Sequence, residues 1–210
     1  MKSNQNALPL KYYCQSNVVR VAKGLLGKLI FTCIEEQVCG GIISETEAYA
    51  GIFDRASHAF DGKRTPRNEK MYQQGGVFYV FRCYGVHNML NVVTNKAEIP
   101  DAVLIRGIIP VYNSKIMLKR LDKNQLYSNL TNGPGKVAKA LGIELKHNGL
   151  YLDSPQIWIT KNPSFTKKNY QIQITPRIGI DYAGEDAKLP YRFVLVPKNQ
   201  QFIQKMILPQ

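Results

Sequence analysis

A chain of 210 residues suits one large domain and can bury a core without disulfide or metal staples. A hydrophobic share of 44% and a charged share of 20% argue against intrinsic disorder, and no apolar run reaches membrane-spanning length. Lys and Arg total 28 against 15 Asp and Glu, a formal +13 that favours a polyanionic partner: DNA, RNA or an anionic membrane face.

Residues 1–16 read as a polar leader with no apolar signal segment, and one domain is expected over 17–210. Ser16 or Asn17 can cap a short helix carrying Val18, Val21, Ala22, Leu25 and Leu26, which Gly27 closes. Strand-like runs follow at 28–34 and 38–49, joined as a hairpin through Glu35-Glu36-Gln37. Residues 50–76, rich in Gly, Pro, Asp, Arg and Asn, predict an ordered loop region with functional potential. A second strand pair, 77–83 and 86–94, surrounds Tyr84-Gly85, and a further strand covers 102–108. Helical spacing recurs at 113–121 and 135–141, and the last third offers strands near 156–160, 170–175 and 191–196. The sum is an α+β domain, mostly antiparallel β-sheet surrounded by helices, with a protruding β-hairpin.

Cys14, Cys33, Cys39 and Cys83 form no C-x-x-C pair and have no histidine at zinc spacing, so no metal site is expected. Cys33 and Cys83 lie in apolar runs and read as small core residues, which implies a reducing compartment.

The most informative segment is Ser44-Glu45-Thr46-Glu47-Ala48-Tyr49. On a strand, Glu45, Glu47 and Tyr49 share one face, opposite Thr46 and Ala48. Two carboxylates on an apolar strand are costly to bury without a partner or a task. A carboxylate beside an aromatic ring can deprotonate water and stabilise an oxocarbenium-like sugar; alternatively both glutamates pair with arginines at the surface. Tyr79 and Phe81 share a strand face and read first as core, whereas Tyr84 at a hairpin tip could wedge into a base stack. Asn91 and Arg106 interrupt apolar strands and need partners: an asparagine can read a base edge and an arginine can hold a carboxylate or phosphate. Gly133-Pro134-Gly135-Lys136 fails the phosphate-loop pattern, although a helix start beside Lys136 can still contact a DNA phosphate.

Taken together, the segments Leu25-Leu26-Gly27, Glu45 to Tyr49, Ala56-Ser57-His58, Arg64 to Asn68, Tyr84-Gly85, Asn91, Leu104-Ile105-Arg106, Gly133 to Lys136 and Pro176 to Ile180 resemble the alkyladenine (3-methyladenine) DNA glycosylases of the mammalian type, which bacteria also possess. The resemblance runs from about residue 18 to 196. It implies a single antiparallel α+β domain that removes alkylated or otherwise damaged purines from double-stranded DNA by base flipping. In that family's terms Glu47 resembles the general base and Arg106 the residue that helps hold the attacking water. Tyr49 resembles one stacking wall of the base pocket, with His58 and Phe81 the other, and Asn91 the residue that disfavours the amino group of guanine. Tyr84 resembles the intercalating tyrosine, and Arg67 and Lys136 are further expected DNA contacts. Phe81 departs from the family's more familiar tyrosine, so a hydroxyl is missing from that wall. No cofactor or metal, a monomer, no membrane association, a cytoplasmic location with the bacterial nucleoid, and no strand-cleaving lyase activity complete the expectation. Two rivals, a non-catalytic nucleic-acid-binding module and a nucleotide- or RNA-modifying methyltransferase, leave the paired glutamates unexplained or lack a Gly-rich cofactor loop.

Overall fold

The computed structural model describes residues 6–199. Three α-helices, α1 (Val18–Leu25), α2 (Ser114–Leu121) and α3 (Pro134–Leu141), accompany eight strands. These are β1 (Leu29–Ile34), β2 (Gln37–Tyr49), β3 (Phe78–Cys83), β4 (His87–Thr94), β5 (Asp101–Tyr112), β6 (Ile157–Thr160), β7 (Tyr170–Thr175) and β8 (Arg192–Pro197). All pairings are antiparallel, in the order β3-β4-β5-β2-β1-β6, with β8 joining β2 and β7 joining β8. The α+β class expected from the pattern is therefore what forms.

β2 is the spine of this sheet. β5 runs along one of its edges, while β1 occupies the first half of the other and β8 takes over at Glu45–Glu47. The side chains alternate as the strand period requires. Thr46 donates through Oγ1 to the Ala22 carbonyl of α1 at 3.0 Å, and Ala48 lies in the main core with Val21, Ala22 and Leu25. That face is the structural one, and the opposite face carries Glu45 and Glu47. α1 is capped by the Asn17 side chain, which accepts from the Arg20 N–H at 2.9 Å.

Two hairpins form at the expected turns. Glu35 and Glu36 both have positive φ between β1 and β2, and Tyr84 (49°) and Gly85 (70°) do the same between β3 and β4. Three expectations change. Within the stretch taken as a leader, Leu8 and Tyr13 are buried core residues and Ala7 bridges to Thr160, so residues 6–16 pack onto the domain. Their few apolar side chains are spaced too irregularly to signal an element. Cys33 and Cys83 are only half-buried, and Cys39 is the buried thiol. β5 extends to Tyr112 because Pro110, which ends the apparent strand pattern, sits beside a register shift opposite Gly41. Among the described residues no helix is long and apolar enough to cross a membrane.

Candidate active site

A cavity of about 340 Å³ opens on the carboxylate face of β2. Glu47, Tyr49, His58, Phe81, Asn91 and Arg106 all line it, together with the hairpin-tip Tyr84 and the exposed Arg67. Of the nine side chains to which the resemblance gives a role, only Lys136 stays outside. It is exposed on the first turn of α3, next to Pro134, which does reach the cavity.

Glu47 is fully buried, and three donors converge on it. Tyr49 Oη donates to Oε2 at 2.9 Å, the Ile178 backbone N–H donates to Oε1 at 3.0 Å, and Arg106 Nε lies 3.4 Å from Oε1. Burial raises the Glu47 pKa above the ordinary carboxylate range, and the Glu45 charge adds to the rise. Arg106, the Ile178 amide and the Tyr49 hydroxyl oppose that rise. The outcome is a carboxylate more basic than an exposed one, with three donors that favour its charged form.

Glu45 takes the surface-pairing role, inside the protein. Its Oε1 accepts from Arg106 Nε at 2.8 Å and from Arg192 Nε at 2.6 Å. This convergence needs Gly107 on β5, because a Cβ there would stand 2.9 Å from the Glu45 Cβ. Glu45 thus fixes the guanidinium that faces Glu47.

Two small apolar clusters build the cavity walls. Ala56, Ile180 and Ala183 support Tyr49 on one side. On the other, Tyr79, Met71, Val77 and Ala102 support Phe81. His58 meets Phe81 edge-on at 4.5 Å between ring centroids, and its Nδ1 is 2.8 Å from Tyr79 Oη. Burial, with Arg67 and Lys63 adding repulsion, lowers the His58 pKa to about 4, so this wall is neutral at pH 7. Tyr79, whose ring stacks on Phe81 at 5.3 Å, is the hydroxyl partner of His58. Asn91 is buried and its Nδ2 donates to the Tyr79 carbonyl at 3.1 Å.

Sequence reasoning read Tyr79 only as core, matched Arg177 and Ile178 only as part of a family-like segment, and gave no role to Asp54 or Tyr182. Arg177 and Asp54 form a fully buried bidentate ion pair, and Arg177 Nη1 also donates to the Ala48 carbonyl at 2.9 Å. Its guanidinium lies 4.7 Å from the Tyr49 ring centre, on a wall of the cavity. The signal available was a lone arginine within the apolar run 176–180 and one of two aspartates in the loop 50–76, 123 positions apart. Among the described residues no group of three His, Cys, Asp or Glu is placed to hold a metal ion.

Residues 12–199 match the family described as methylpurine-DNA glycosylase. The chain belongs to that family. It is 47% identical over 193 residues to a protein of Chlamydia abortus, covering 91% of this chain and all of that protein. Proteins of Clostridium novyi and Bacillus cereus are each 40% identical, covering 90% and 88% of this chain and 94% and 93% of their own lengths. All three bear the provisional name 3-methyladenine DNA glycosylase. Family membership makes the chain a DNA N-glycosylase, a hydrolase of DNA repair that acts on alkylated bases.

Proposed function

We propose that this glycosylase binds double-stranded DNA, turns a damaged purine into the cavity and releases it by water that Glu47 deprotonates. The observation that carries this reading is the buried Glu47 at the wall of an aromatic cavity, with Arg106 3.4 Å away and Tyr49, Phe81 and a neutral His58 lining the same cavity. Water attacks C1′ as the N-glycosidic bond breaks. Its proton passes to Glu47, and the bonding electrons leave with the purine. A purine alkylated at a ring nitrogen carries positive charge and departs neutral, so it needs no acid. Aromatic faces attract such a cation, and a neutral His58 does not repel it.

Tyr84, 91% exposed at the hairpin tip and on the cavity's rim, is placed to fill the gap a flipped nucleotide leaves. Asn91, fixed by the Tyr79 carbonyl, is placed to disfavour the amino group of guanine. Arg67 at the rim and Lys136 outside it, on the first turn of α3, are the phosphate contacts of this reading. No lysine lines the cavity among the described residues, which supports hydrolysis by water over Schiff-base chemistry. The chain acts as a monomer in the cytoplasm, at the nucleoid, in this account.

Oligonucleotides carrying defined lesions, cleaved with alkali at the abasic product, test it. Glu47→Gln should slow excision by about 10²–10⁴-fold, the range for losing a general base, while binding to lesion DNA persists. Excision at the parental rate would remove Glu47 from the mechanism.

A further inference from the structure

The acids of this chain are absent from two long stretches. Residues 1–34 and 154–180 contain no Asp or Glu at all. The fold brings parts of both together on the α1 side of the sheet, away from Glu47. Lys23 Nζ lies 5.1 Å from the Phe193 ring centre, and Phe193 pairs across from Thr46 on the face that packs against α1. A groove of about 340 Å³ runs between Lys23 and the segment Phe165–Lys168, floored by Tyr170, Ile172 and Leu195. It meets a second groove of about 630 Å³ that Arg20, Lys23 and Lys167 line. Neither groove shares a residue with the catalytic cavity.

Arg20, Lys23, Lys28, Lys161, Lys167 and Lys168 make this surface, and among the described residues none of them forms an ion pair with an acid. Partial burial, with repulsion from Lys161 and Lys167 added, holds the Lys28 ammonium below its ordinary pKa. An uncompensated cluster of like charge repels itself and is relieved by an anion that spans several cations.

We propose that this acid-free face docks the phosphate backbone of a second segment of duplex DNA while the catalytic face holds the first. The inference rests on the reading of duplex DNA as substrate. Two observations choose duplex over other polyanions. Phe165 and Tyr170 stack on each other at 5.0 Å and are not spread as platforms for unpaired bases, as single-strand binding needs. A membrane surface would call for apolar side chains that insert beside the lysines, and those lining the grooves form their floor or are half-buried. With two faces, the protein moves between DNA segments through a doubly bound state.

The test uses the full chain and a short fluorescent duplex carrying a tetrahydrofuran abasic analogue, chased with unlabelled undamaged duplex. The dissociation rate of the labelled duplex should rise with competitor concentration. That dependence should be lost in Lys161→Glu/Lys167→Glu/Lys168→Glu, whose substitutions are exposed, and reduced by Arg20→Glu on the opposite wall. Single-turnover excision at saturating enzyme should be unchanged in both variants, which also reports that they fold. A dissociation rate independent of competitor, or a dependence that survives both variants, overturns the proposal. So does binding to phosphatidylserine vesicles that these lysines support while they leave the competitor effect untouched. Absence of any purine excision would instead overturn the proposed function, so the two failures are distinct.

Discussion

As the base of the proposed mechanism, Glu47 would meet two opposed demands, because such a group must be strong enough to take a proton from water and still be ionised when the substrate arrives. Burial serves the first, while Arg106, the Ile178 amide and the Tyr49 hydroxyl serve the second. The acid limb of the excision rate should therefore have its midpoint above the ordinary glutamate value of about 4.3. Below that midpoint the carboxylate is protonated and the rate falls. Arg106 lowers the Glu47 pKa, so Arg106→Gln should move the limb to higher pH as well as slow the reaction. His58, with a pKa of about 4, should add no transition between pH 5 and 8. A pH–rate profile on a cationic lesion reads both, and a limb in Arg106→Gln at lower pH than in the parent would contradict this electrostatic account.

The β3–β4 hairpin shows at the level of an element what the sequence could and could not convey. Alternation across 77–83 and 86–94 marked both strands, and Tyr84-Gly85 marked the turn, because those patterns are local. The backbone conformation was not legible: Tyr84 has a φ of +49°, which L side chains other than Asn and Asp seldom adopt. Holding a large side chain there is a local strain of about 1 kcal/mol. Tyr84→Gly should leave Tm unchanged or raise it, yet slow excision from duplex DNA more than from single strands. A lowered Tm with unchanged excision would show that the tyrosine serves folding instead. The same division holds elsewhere. β7 matched its expected range of 170–175 because its periodicity is strict, while the turn that places His58 and the 3-10 segment that carries Tyr182 passed unread as loop. Their positions depend on contacts with distant segments.

Across the whole molecule, the site is joined from parts far apart in the chain. Arg177 links the Ala48 carbonyl of β2, the Asp54 carboxylate and the Asp186 carbonyl, all in one buried knot. Pair chemistry at such range has no local signature, which is why Glu47 was legible and its supporting knot was not. Arg177→Met would strand the Asp54 charge in the interior and should cost about 3–5 kcal/mol in urea unfolding. Adding Asp54→Asn should recover part of that loss, and no recovery would mean that the pair is not what the knot depends on. The Ile178 amide that steadies Glu47 and the strand that carries Arg192 both come after residue 176. A chain emerging from the ribosome can pair β1 through β5 and still have no amide facing its base. A chain interrupted before Arg177 would therefore keep Glu47 and Arg106 yet lack the Ile178 amide, Arg192 and the β8 edge that pairs with Glu45–Glu47.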